Sequence, residues 1–131
     1  MERGPIVSRE ADREWETWGE EDVPRKGHVY WKTLISRGVT RSQGLTLGVA
    51  SLPPGGALRE HRHTQEEVYL VLDGSGLVRV GAEELAVEAG SAVFVPGDAL
   101  HSCENTGTSD LRVAYVFPAD SFDEVEYVFE G

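Results

Sequence analysis

From Tyr30 onward the sequence divides into short apolar or alternating runs: YWKTLI, LTLGVASL, VYLVL, GLVRV, AVFVP and LRVAYVF. Alternation with a period of two marks strands that bury one face. The runs are punctuated by Pro53-Pro54-Gly55-Gly56, Asp73-Gly74-Ser75-Gly76, Gly90, Pro96-Gly97-Asp98 and Asn105-Thr106-Gly107. Each of these is a good turn former. No segment after residue 23 has a long 3.6-residue period, so helices do not alternate with the strands. Short strands spaced by roughly 8 to 12 residues predict an all-β sandwich or barrel. At 131 residues the chain fits one domain, burying roughly two-thirds of the surface its unfolded form exposes.

Before the strands, residues 8–22 are charged and carry Trp15 and Trp18. A spacing of three places both indoles on one side of a short N-terminal helix laid against the barrel. The chain thus reads as an N-terminal extension, residues 1–29, and a single β-barrel domain, residues 30–131. The segment from Asp120 to Gly131 is acidic, with Phe122, Val125, Tyr127 and Phe129 interleaved. It is expected as a last strand folded over the barrel mouth.

Twenty-three acidic residues against twelve basic ones give a net charge of -11. That charge repels phosphate backbones and anionic headgroups, so neither nucleic acid nor a membrane surface is the expected partner. A small anionic ligand stays open, because a bound cation dominates its local field. Cys103 is the lone cysteine and forms no intrachain disulfide. The stretch from Met1 to Glu10 lacks the features of a secretory signal. No run nears the ~20 apolar residues that cross a bilayer. A cytoplasmic location is the expectation.

The strongest chemical signal is His61-Arg62-His63, followed by Glu67 and then by His101. On a strand, side chains at i and i+2 share a face, so both histidines can project into a barrel. Three imidazoles and a carboxylate suit one divalent transition metal ion, such as Fe, Mn, Ni, Co, Cu or Zn, better than Ca or Mg. Glu66 competes with Glu67, since a one-residue slip in register exchanges which carboxylate points inward.

Other residues fall near this set. Tyr69, two past Glu67, is expected to face the same interior. Arg59, two before His61, is a candidate carboxylate clamp or a rim charge. Cys103, two past His101, reads as a pocket-lining or buried thiol. Most of Tyr30, Trp31, Tyr115, Phe117 and Tyr127 are expected in the core, with some facing the site. Aromatic walls beside an acidic surface suit a ligand bearing an onium group. His28 reads as a surface residue.

The spacing Gly55, five residues, His61-x-His63, three residues, Glu67, six residues, Gly74 resembles the first motif of the cupin family. Gly90, five residues, Pro96, four residues, His101, three residues, Asn105 resembles the second. The family usually has Gly two residues after that Pro, where this chain has Asp98. The gap to Gly74 favours Glu67 over Glu66 as the carboxylate. The resemblance implies a double-stranded β-helix, or jelly-roll, barrel and a paired-barrel homodimer.

A narrower resemblance runs through Tyr30-Trp31-Lys32, Gly44-Leu45-Thr46-Leu47-Gly48, Pro54-Gly55-Gly56, the His61 to Tyr69 motif and the tail from Val116 to Tyr127. It covers about 100 of the 131 residues and is similar to the small cupin dimethylsulfoniopropionate lyases. Arg59 departs from that pattern. The likeness implies metal ligation by His61, His63, Glu67 and His101, with Tyr69 as base and Tyr127 as the tail tyrosine; Trp31, Arg59 and Cys103 are expected near substrate from their positions alone. The implied reaction is β-elimination from a small carboxylate-bearing molecule, releasing dimethyl sulfide and acrylate. Competing expectations are an iron-dependent dioxygenase, a sugar or uronate isomerase, and a non-enzymatic small-molecule-binding module.

Overall fold

The computed structural model describes residues 4–130; residues 1–3 and 131, the outermost parts of the two predicted segments, lie outside the described residues. Ten strands follow in chain order: β1 Glu16–Thr17, β2 Tyr30–Ile35, β3 Thr46–Leu52, β4 Ala57–His61, β5 Glu67–Asp73, β6 Ser75–Val80, β7 Glu83–Glu88, β8 Ala92–Val95, β9 His101–Asn105 and β10 Leu111–Phe117. Six form one sheet in the order β1-β2-β3-β10-β5-β8 and four form a second, β4-β9-β6-β7. Every pairing between these strands is antiparallel, and the predicted all-β barrel is what the described residues form.

Period-two patterning decides which side chains fill the barrel. On β5, Glu67, Tyr69 and Val71 are buried while Val68, Leu70 and Leu72 are exposed. The inner faces meet in a core where Leu52, Val78, Val95, Leu111 and Phe117 are at most 1% exposed. Burying one such side chain stabilises the fold by about 1.5–3 kcal/mol.

The N-terminal segment differs from a helix carrying both tryptophans. Residues Glu10–Asp12 make one 3-10 turn, β1 follows, and the short helix α1 lies at Val23–Lys26. Glu16 and Thr17 pair with Trp31 and Tyr30, and the Thr17 hydroxyl donates to the Val29 carbonyl at 2.8 Å. Trp15 and Trp18 therefore flank an extended pair, where a spacing of three sends side chains to opposite faces. Trp15 stays exposed beneath the Lys32 ammonium, 4.6 Å from its ring, whereas Trp18 turns toward the barrel mouth.

The tail crosses the mouth, but with one bridge instead of a strand. After a 3-10 turn at Phe122–Glu124, capped by the Ser121 hydroxyl, Val128 pairs with Arg62. Among the described residues no helix is long and apolar enough to cross a membrane.

Candidate metal centre and cavity

His61 closes β4, His63 follows it in the connection to β5, Glu67 opens β5 and His101 opens β9. His61 and His101 are direct cross-strand partners. All four side chains are at most 3% exposed, so they meet inside the barrel wall. Each histidine Nδ1 donates to a main-chain carbonyl: His61 to Arg59 at 2.8 Å, His63 to Gln65 at 2.9 Å and His101 to Ala99 at 2.9 Å. Because a carbonyl only accepts, these bonds fix the tautomer and leave every Nε2 with a free lone pair.

The three ligand nitrogens lie within 4.8 Å of one another. Glu67 Oε1 stands 3.2 Å from His63 Nε2 and 3.3 Å from His101 Nε2. All four atoms are buried without a hydrogen-bond partner, a costly arrangement unless something else satisfies them. A metal ion would satisfy them, and the three histidines are a set that could hold one. Burial, followed by the charge of His101, lowers the His61 pKa to about 3, so its imidazole is neutral and able to ligate at physiological pH.

The backbone around the ligands is held from two directions. The turn after Pro96 supports His63: Asp98 takes a left-handed conformation, φ 64°, and its N–H donates to the His63 carbonyl at 2.8 Å. Asp tolerates that region better than most residues, which is how the turn forms without Gly at that place. Gly97 must stay bare, since a Cβ there would lie 2.5 Å from the Thr64 carbonyl oxygen. On the other side, Arg62 and Val128 exchange backbone hydrogen bonds of 3.0 and 2.8 Å. The tail then lays Tyr127 on His61, with ring centroids 4.8 Å apart and planes 19° from parallel.

A cavity of about 40 Å³ adjoins the cluster, with Glu67 and Tyr69 in its wall. Barrel residues Ala50, Leu52, Leu58, Cys103, Val113 and Tyr115 line its interior. Trp18, Val29 and Trp31 close it from the N-terminal side, Phe122 and Tyr127 from the tail. The lining is predominantly apolar. Tyr69 and Tyr115 are cross-strand partners whose hydroxyls, like the Trp18 and Trp31 Nε1 groups, are buried without hydrogen-bond partners. Tyr115 also faces Gly48, where a Cβ would fall 2.2 Å from its hydroxyl; the bare backbone makes room for the phenol.

The sequence-predicted residues separate accordingly. Trp31, Tyr69, Cys103 and Tyr127 line the cavity, and Glu67 faces inward while Glu66 is exposed. Arg59 is exposed and apart from the cavity wall. The cause is a bulge: Leu58 pairs with Cys103 and His61 with His101, so three steps on β4 oppose two on β9. The extra residue breaks the i, i+2 rule, and Leu58 takes the inward place instead. Burial pushes the Cys103 thiol up to about 12, with Glu67 adding to the shift. Trp18 and Phe122 also line the wall; the sequence placed their segments against the barrel and over its mouth but singled out neither as a site residue.

Comparison with known proteins agrees with this geometry. Residues 48–117 match the family described as Cupin domain. Dimethylsulfoniopropionate lyase DddW of Ruegeria pomeroyi is 42% identical over 106 residues, covering 81% of this chain and 69% of that protein. An oxalate-binding protein of Thermotoga maritima is 32% identical over 88 residues, 66% of this chain and 73% of that one. Among solved structures, a cupin-2 domain protein from Rhodospirillum rubrum superposes with a TM-score of 0.79 at 20% identity, covering 98% of this chain and 84% of its own.

Proposed function

This chain belongs to the cupin family, and on that premise we propose that it is a metal-dependent lyase that carries out β-elimination on a small carboxylate, dimethylsulfoniopropionate being the first candidate. His61, His63, His101 and Glu67 hold one divalent transition metal ion. When bound, that ion supplies Lewis acidity toward the substrate carboxylate and a positive charge beside Glu67. The rest of the chemistry falls to this chain's side chains.

The observation that carries the reading is the place of Tyr69. Its hydroxyl is buried without a partner on the wall shared by the Glu67 carboxylate and the apolar cavity. As base, Tyr69 takes the proton from the carbon alpha to the carboxylate. The pair from the broken C–H bond forms the new double bond, the β-carbon–sulfur bond breaks, and dimethyl sulfide leaves with the pair of that C–S bond, giving acrylate. Burial and the negative charge of Glu67 both raise the Tyr69 pKa, so the base needs the cation's field to act near neutrality. The aromatic lining accommodates the onium group and excludes bulk water.

The test is dimethyl sulfide release from dimethylsulfoniopropionate under strict anaerobiosis, with protein loaded in turn with Fe(II), Mn(II), Ni(II) and Zn(II). Absence of product with every metal overturns the lyase reading. Turnover that requires oxygen would favour the dioxygenase alternative. The apolar wall speaks against a sugar substrate. Metal-dependent binding of oxalate without turnover of any substrate would favour a binding module, the role named for the Thermotoga relative.

We also propose a homodimer through the outer face of β5 and β8. Val68, Leu70, Leu72 and Phe94 are between 39% and 59% exposed there. An uncharged stripe on a chain of net charge -11 is a surface that a second copy can meet without like-charge repulsion. Sedimentation of wild type against Leu70→Glu tests it, the variant shifting to monomer.

A further inference from the structure

We propose that Trp18 sets the upper length of the ligand that the cavity accepts, making it a specificity-determining residue supplied by the segment before the barrel. The proposal rests on the reading that the ligand's carboxylate sits at the metal cluster.

The cavity is small. At about 40 Å³ it has room for a short chain beyond the carboxylate and none for a long one. A chain longer than that must push something aside. The barrel wall is a poor candidate, because Leu52, Val113 and Cys103 belong to paired strands and are at most 4% exposed. Trp18 differs. It is half-buried, lines the cavity and belongs to no strand or helix of its own, standing between β1 and α1.

Its position is nonetheless fixed. The β1–β2 pairing and the Thr17 hydroxyl bond hold the residue just before it. Its ring packs 4.7 Å from Trp31 and 5.8 Å from Phe129. The Lys26 ammonium covers it at 4.6 Å from the ring. An indole clamped on several sides is a stop of defined position in a predominantly apolar wall.

The test uses the cobalt(II)-loaded protein and straight-chain monocarboxylic acids from acetate to octanoate, with affinity read from the cobalt visible absorption. In the wild type, affinity rises about fourfold per methylene while the cavity fills. It then falls at least tenfold by octanoate. In Trp18→Ala the octanoate penalty disappears, whereas Trp15→Ala, altered on the exposed side of β1, keeps the wild-type profile. Trp18→Leu, a smaller change, gives an intermediate cut-off and serves if the alanine variant does not fold. Clear binding with identical length profiles in wild type and a folded Trp18 variant overturns this proposal alone. Absence of any spectral change with any acid overturns the carboxylate reading, and this proposal with it.

Discussion

Arg62, the residue between two of the clustered histidines, is hydrogen-bonded through its backbone in both directions to Val128 of the tail. The bridge keeps Arg62 facing outward and its neighbours inward, and it delivers Tyr127 onto His61. Val128→Pro removes the N–H that donates to the Arg62 carbonyl. One lost hydrogen bond costs about 0.5–1.5 kcal/mol. Metal affinity is expected to fall about two- to tenfold, measured by competition with a chromophoric chelator. Faster amide exchange at Phe129 is the accompanying sign.

Removing a ligand has a larger effect. His63→Ala is expected to lower metal affinity by more than about 100-fold, because loss of an outer partner of a ligand alone costs about 10–100-fold. The fold is expected to survive, since the sheets are held by their own backbone ladders and an apolar core away from the ligands. A matched pair tests the carboxylate: Glu67→Gln lowers metal content per chain, whereas Glu66→Gln, altered on the exposed side, leaves it unchanged. Elemental analysis of purified protein decides both.

Tyr69→Phe deletes one oxygen that has no hydrogen-bond partner. It is expected to keep metal content and melting temperature while turnover falls about 10²–10⁴-fold, the usual span for losing a general base. Steady-state kinetics on metal-saturated protein checks this. Near-full activity would move the base to Tyr127.

Gly97→Ala places a methyl group against the Thr64 carbonyl, 2.5 Å from its oxygen. Backbone must shift, and overpacking of this kind costs about 1–3 kcal/mol. The displaced loop carries His63, so metal affinity is expected to fall together with stability. Asp98→Gly relieves a left-handed residue and is expected to be tolerated. Thermal melts with and without metal separate the two variants.

How much of this was legible varies with residue type. Strands β2 and β10 have the bounds of the runs YWKTLI and LRVAYVF: on β10 every buried residue is apolar, whereas on β2 the run marks the strand although Lys32 and Thr33 are its buried members. Strands β4, β7 and β9 carry no such run. β4 and β9 give inward places to His61 and His101, and β7 is a mostly exposed, acidic edge. The histidines and Glu67 were readable from their spacing, since a donor set needs its residue types at fixed intervals. Arg59 was not, because a bulge is a backbone irregularity with no compositional mark. Trp15 and Trp18 misled for a related reason: a spacing of three suits a helical face, while pairing with β2 drew the intervening residues into a strand.

Trp18 and Tyr127 meet across the barrel mouth, ring centroids 6.2 Å apart, although more than a hundred residues separate them in sequence. Contacts of such long range cost loop-closure entropy before they return any stability. In folding order the rim therefore comes last, after the two sheets have paired. The same accounting makes it the first part to open in the native state, so residues 15–20 and 125–130 should exchange amide hydrogens ahead of β5 and β10. The barrel is then expected to be the part that holds longest, and the stop that Trp18 forms belongs to the rim in its closed state.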